Sequence, residues 1–191
     1  GYYRDPEATR EAIDAEGWFH TGDLGQLDPK TGTLAIKGRI KSLIVLESGK
    51  KVFPEEIEHL INQSGEAFVK DSLVFSQLDE RGKTTITAKL VLDQEAVEQL
   101  LAEQADGLSL QERIEQLIAE VNSKIPSFKR VNTYFFSFKD MIRTTTLKVK
   151  RPAEIEAILR NLQEQGLQLK EIAGRNIDEL LHPQQLAADT E

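Results

Sequence analysis

Three short stretches hold residues whose chemistry goes beyond what a protein surface needs. In Thr21-Gly22-Asp23 the glycine lets the backbone turn tightly, and the carboxylate presents two acceptor oxygens in one plane. Two adjacent hydroxyls, as on a ribose, match that plane bidentately. In Gly38-Arg39-Ile40-Lys41 the guanidinium of Arg39 offers a planar fork suited to hydroxyls, carboxylates or phosphates. In "RTTTLKVKR", residues 143–151, three hydroxyls precede Lys148, Lys150 and Arg151. If that run is extended, Lys148 and Lys150 share one face. A flexible loop with a lysine on it delivers a mobile point charge to an anionic centre.

Taken singly, each stretch more often does something plainer. An acid satisfies the N–H groups of its own turn, two cations sit solvated at a strand end, and a basic loop leads into a helix. No glycine-rich phosphate cradle stands near "RTTTLKVKR". His20, His59 and His182 are scattered and suggest no metal centre. Trp18, Phe19, Tyr134, Phe135 and Phe136 read as core rather than as an aromatic cage. Glu55, Glu56 and Glu58 read as the acidic start of a helix.

The elements that must position these residues follow from periodicity. Residues 5–14 suggest a short helix, with Pro6 in its first turn. "LGQLD" and "TLAIKG" flank Asp28-Pro29-Lys30-Thr31-Gly32 and predict a β-hairpin. "SLIVLESGKKVF" predicts two short strands around a turn at Gly49, and Pro54 opens a helix with an apolar face of Ile57, Leu60 and Ile61. "VKDSLVFSQLD" and "TTITAKLVLD" predict two strands about the turn "DERGK". Helices follow at 94–104 and 109–123, then the β-rich run "NTYFFSF", then a helix opening at Pro152 and a polar helical remainder to Glu191. This order predicts an α+β domain, with helices packed on a small sheet and starting near Gly38.

Composition bounds the rest. A chain of 191 residues, 39% hydrophobic and 29% charged, reads as globular. A net charge of −8 argues against nucleic-acid binding, which favours a basic face. No apolar run approaches a membrane span, so no transmembrane segment is expected, although peripheral membrane contact stays open. The absence of cysteine and of a signal peptide suits a reducing, cytoplasmic location. Opening on Gly1 with "GYYRDPEATREAI", the chain reads as the middle of something longer.

In their fixed order, "GYYRDPEATREAIDAEGWFHTGDLG", "GRIKSLIVLESGKKVFPEEIE" and "RTTTLKVKR" resemble the acyl-adenylate-forming (AMP-binding) superfamily. That group includes acyl-CoA synthetases, luciferases and the adenylation domains of peptide synthetases. The resemblance runs to about Arg151, and its variants look most like bacterial long-chain fatty-acyl-CoA synthetases. It implies a two-step reaction: ATP and a carboxylate give acyl-AMP and pyrophosphate, then the thiol of coenzyme A displaces AMP. It also implies a small C-terminal domain that swings between the steps. On the resemblance, residues 1–37 are the end of a large N-terminal domain, and 38–191 are the small mobile domain with a helical tail. Asp23 matches the acid that binds the ribose hydroxyls, and Arg39 the arginine that joins it. Lys41 stands at the hinge position. Gly49 matches the glycine of the loop brought in for thioester formation, and Lys148 the lysine that serves adenylation.

Two features depart from the family pattern. Leu147 precedes Lys148 where the family usually has glycine, and the loop between Ile44 and Pro54 is one residue longer than the short pattern. The resemblance places the phosphate loop, the adenine block, the acyl pocket, Mg and most ATP contacts in the upstream domain, which is this chain's expected partner. The fragment alone is therefore expected to be inactive. Tyr2, Tyr3, Trp18 and Phe19 would pack on that upstream domain and stay partly exposed here. Alternative readings are a carrier-protein acyl ligase, an amino-acid adenylation domain, or a stand-alone α+β binding module.

Overall fold

The computed structural model describes residues 1–64, 66–103 and 107–181. The end of the polar tail, residues 182–191, and with it His182, lies outside the described residues. The chain begins with helix α1, Pro6–Ala12, whose first turn is capped by the Asp5 carboxylate accepting the Ala8 N–H at 2.9 Å. Strands β1, Asp23–Leu27, and β2, Leu34–Arg39, form the antiparallel hairpin, and their register sets Asp23 directly opposite Arg39. A 3₁₀ turn, Ile40–Ser42, leads to the short pair β3, Ile44–Val45, and β4, Lys51–Val52. Helix α2, Pro54–Asn62, follows, with proline in its first turn and Glu55 and Glu56 at its positive end.

A three-stranded sheet makes the centre. Strands β5, Val69–Leu78, and β6, Thr84–Leu92, pair antiparallel across the 79–83 turn, where the Asp79 carboxylate accepts the N–H groups of Arg81 and Lys83. The chain then crosses over through α3, Gln94–Ala102, and α4, Leu110–Ser123, the latter closed by a Ser109/Glu112 capping box. It returns as β7, Thr133–Ser137, parallel to β6, so that the strand order is β5-β6-β7. Helices α5, Arg151–Glu164, and α6, Ile177–Leu181, complete the described chain.

Both faces of the sheet are covered. Ile86, Ala88, Leu90 and Leu92 of β6 pack with Ile57 and Ile61 of α2 and with Ile114, Leu117 and Val121 of α4. On the opposite face Leu73, Phe75, Val91 and Phe135 pack with Ile158 and Leu162 of α5, Ile172 and Ile177. A strand covered on both sides reads as a near-continuous apolar run, as "TTITAKLVL" does apart from its threonines and Lys89. The aromatic expectations divide. Phe135 and Phe136 are core, but Trp18 is 75% and Phe19 58% exposed, because α1 and the chain after it bury no residue of their own. Tyr2, Tyr3, Leu27, Leu34 and Ile36 are exposed as well, so the N-terminal segment and hairpin present apolar surface that this chain does not cover. Among the described residues no helix is long and apolar enough to cross a membrane.

Candidate functional site

The hairpin brings Asp23 and Arg39 together. Thr21 accepts the Asp23 N–H on its hydroxyl at 3.1 Å, and Gly22 takes a left-handed φ of 72° that turns the carboxylate toward the end of β2. Arg39 Nε then donates to Asp23 Oδ1 at 2.9 Å. The contact uses one carboxylate oxygen and one guanidinium nitrogen. Among the described residues no other hydrogen bond engages Asp23 Oδ2 or the terminal nitrogens of Arg39, and both side chains keep solvent access. Such a pair can accept from and donate to a polyhydroxylated ligand at once.

Lys41 lies just beyond, exposed, in the 3₁₀ turn. Its two neighbours are tied in opposite directions. The Ile40 N–H donates to the Gly22 carbonyl at 2.9 Å, back into the hairpin. The Ser42 hydroxyl donates to the Glu55 carboxylate, forward into α2. Gly38 seats the junction: a Cβ there would come within 2.9 Å of Phe53 Cδ1 and 2.8 Å of Glu55 Oε2. Glu55 and Glu58, read from sequence as plain helix-start acids, therefore have inward partners. Glu58 takes the Arg151 guanidinium on both oxygens, at 2.7 and 2.8 Å, and also accepts the Val74 N–H. Burial pushes the Glu58 carboxyl above the usual carboxylate range, against the opposing pull of Arg151.

Gly49 sits in the β3–β4 turn with φ 74°, its N–H donating to the Leu46 carbonyl at 2.8 Å. The loop is fastened on both sides, through Glu47 accepting the Thr84 N–H and through Lys50, whose amine lies 4.6 Å from the Phe128 ring centre. Hydrogen bonds from Thr84 hold the Glu47 carboxyl below its ordinary pKa.

Lys148 is carried differently from the flexible loop its sequence suggests. Residues 142–150 form a tight hairpin, bridged Arg143 to Val149, with the Leu147 N–H donating to the Thr144 carbonyl at 2.9 Å and the Thr144 N–H to the Lys148 carbonyl at 2.8 Å. Lys150 closes the root by donating its N–H to the Ile142 carbonyl, so residues 148–150 run extended, with Lys148 and Lys150 exposed on either side of the half-buried Val149, as the alternation predicts. The amine of Lys148 is exposed and in no ion pair among the described residues. Leu147 adopts φ 63°, the left-handed conformation for which glycine is suited, and its side chain is 73% exposed. Leu147→Gly relieves a left-handed strain of roughly 1–2 kcal/mol but loosens the unfolded chain. It is expected to stabilise the fold by roughly 0.5–1 kcal/mol, read as a higher urea midpoint. A lower midpoint would mean that the Leu147 side chain has a packing role.

The structure thus unites Asp23 with Arg39 and sets Lys41 beside them. It does not bring in Gly49 or Lys148. Ile44 and Val52, flanking the Gly49 turn, pack in the core against α2 and α4, whereas Val149 packs against the cluster under α5. The two loops therefore hang from opposite faces of the sheet. Among the described residues there is no group of three or more His, Cys, Asp or Glu side chains that could hold a metal ion. Sequence reasoning missed the ion pairs beneath the Lys148 hairpin: Lys89–Glu154 at 2.7 Å, Arg143–Asp71 and Arg151–Glu58. Lys89 within an apolar strand was the available signal.

The same architecture occurs in solved structures. One is ATP-bound MatB from Rhodopseudomonas palustris, 26% identical, with a TM-score of 0.57 over 86% of this chain and 28% of that one. The mixed α+β fold is one that domains of adenylate-forming enzymes share. Residues 41–157 match the family described as AMP-binding enzyme C-terminal domain, and the chain belongs to that family. Curated relatives include long-chain-fatty-acid--CoA ligase 5 of Rattus norvegicus, 33% identical over 165 residues, which are 79% of this chain and 24% of the relative. Long-chain-fatty-acid--CoA ligase FadD13 of Mycobacterium tuberculosis is 42% identical over 96 residues, 50% of this chain and 18% of the relative. The chain spans about a quarter of the length of the first curated relatives it matches.

Proposed function

We propose that this chain is the C-terminal portion of an ATP-dependent, AMP-forming acyl-CoA ligase that activates a fatty acid, most simply a long-chain one. The observation that carries this reading is the pairing of Asp23 with Arg39 at 2.9 Å, beside the turn where the family match begins. The kinship with long-chain-fatty-acid--CoA ligases supports the substrate class. On this reading Asp23 holds the ribose hydroxyls of ATP and of the acyl-adenylate, and Arg39 joins it. Lys148 neutralises charge at the reacting phosphate, and the Gly49 loop belongs to the thioester step with coenzyme A. Residues 1–37 complete the large domain, and 38–191 form the small one. The apolar surface of Tyr2, Tyr3, Trp18 and Phe19 supports such a neighbour. Mg and most ATP contacts fall to the large domain, and no step here runs through the metal.

The test compares two preparations. The natural-length protein is expected to exchange pyrophosphate into ATP only with a fatty acid present, and to turn acyl-AMP and coenzyme A into acyl-CoA. The 191 residues alone are expected to do neither and to bind ATP very weakly, because Asp23 and Arg39 contact only the ribose. Exchange driven by amino acids, or transfer only to a carrier protein, would replace the fatty-acyl-CoA reading. Micromolar ATP binding to the isolated chain by calorimetry would contradict the domain division.

A further inference from the structure

The hairpin that carries Lys148 is exposed at its tip, yet its backbone is gripped from below at two points. Glu154, in the first turn of α5, pairs with Lys89 of β6 at 2.7 Å, with the two side chains only 6% and 7% exposed. The second oxygen of Glu154 accepts the N–H of Ile142 at 2.8 Å, the residue from which the hairpin departs. The other grip is at the tip. The Arg143 guanidinium pairs with Asp71 of β5 and donates from Nη1 to the Leu147 carbonyl at 2.7 Å, immediately before Lys148.

A buried ion pair is a poor source of stability. The desolvation of two charges offsets their attraction, and well-packed apolar replacements are often neutral or better. A lysine in the centre of β6 is therefore not accounted for by folding alone. What the pair does locally is hold a carboxylate under the Ile142 N–H. Lys148 reaches out on a flexible four-carbon stem, and such a stem delivers its charge reproducibly only from a fixed backbone.

We propose that Glu154 and Arg143 are positioning residues for Lys148, fixing the backbone from which its amine serves the adenylation step. This rests on the role assigned to Lys148 above. Lys89 aims the Glu154 carboxylate, and Asp71 aims the Arg143 guanidinium. Neither Glu154 nor Arg143 needs to touch the nucleotide.

The test follows both half-reactions in single turnovers of the natural-length enzyme. Lys89→Gln/Glu154→Gln removes both charges but retains an amide pair and an acceptor for the Ile142 N–H. Lys89→Met/Glu154→Met keeps the bulk and loses the acceptor. The Gln pair is expected to keep acyl-AMP formation within about threefold of wild type, and the Met pair to lower it about tenfold or more. Conversion of supplied acyl-AMP to acyl-CoA should be unchanged in both, with similar melting midpoints. Equal adenylation rates in the two folded variants overturn the proposal. Should the Met pair fail to fold, Arg143→Met decides, since its ion pair is only partly buried. It is expected to slow adenylation alone, and a wild-type rate overturns the proposal. Lys148→Ala is measured alongside. If it leaves adenylation intact, the assignment of Lys148 falls and this proposal with it. If it slows adenylation while the positioning variants do not, only this proposal falls.

Discussion

Lys148→Ala in the natural-length enzyme is expected to slow acyl-AMP formation roughly a hundred- to a thousand-fold, ~2.7–4 kcal/mol of barrier. Attack of the carboxylate on the α-phosphate builds negative charge that the bound reactants do not carry. A cation placed there stabilises the transition state more than the ground state, which is the condition for lowering a barrier. The thioester step makes a different demand, since the thiol attacks the acyl carbon and AMP leaves. On the proposed reading, in which the small domain turns between the two steps, an orientation that presents Lys148 does not present the Gly49 turn, since the two hang from opposite faces of the sheet. The variant should therefore convert supplied acyl-AMP to acyl-CoA at close to the wild-type rate. Because the Lys148 side chain is exposed and in no ion pair among the described residues, its truncation removes no packing. Lys150→Ala is the control. Its amide closes the hairpin, but its side chain is equally exposed. Adenylation within a few-fold of wild type in Lys148→Ala, or equal damage from Lys150→Ala, would refute the assignment.

Much of the fold is legible in the residues because local signals and tertiary demands agree. Pro54 with Glu55 and Glu56 announces α2, Ser109 with Glu112 closes the start of α4, and the 79–83 turn joins two β-branched runs. The hairpin is equally plain, and with it the approach of Asp23 to Arg39, since a two-stranded register fixes what stands opposite what. What the residues do not disclose locally is anything set by long-range pairing. The Lys148 segment looks like a loose basic loop because threonines and lysines are typical of one. Its rigidity comes from Asp71, 72 positions before Arg143 in sequence, and from Lys89, 65 positions before Glu154. Trp18 and Phe19 mislead when read by size alone, whereas the resemblance implies the exposure they show. Their size suggests a core, but the surface they suit is not supplied by this chain. Leu147 is intermediate: the unusual residue is visible in the sequence, but its cost appears only with the left-handed φ of 63°.

Lys41→Pro is expected to change the ratio of the two half-reaction rates by about tenfold or more, ~1.4 kcal/mol. A hinge lets the dihedrals of one or two residues absorb a domain rotation. Lys41 is placed for this, in the 3₁₀ turn between Ile40, whose N–H bonds the Gly22 carbonyl, and Ser42, whose hydroxyl lies against both the Arg39 carbonyl and the Glu55 carboxylate. Proline fixes φ near −65° at its own position and pushes the preceding residue away from helical dihedrals. Ile40 is helical here, in the 3₁₀ turn, so the substitution disfavours the orientation seen in this structure and freezes the joint in another. The half-reaction that uses the disfavoured orientation should be lost, and the other retained. Lys41→Ala separates backbone from side chain: it removes the amine, leaves φ free, and should keep both rates near wild type. Equal loss of both half-reactions in folded Lys41→Pro, or an Lys41→Ala variant as lopsided as the proline one, would move the pivot elsewhere. The next candidate would then be Gly38, where Phe53 and Glu55 pack so closely that rotation about the joint must first break that contact.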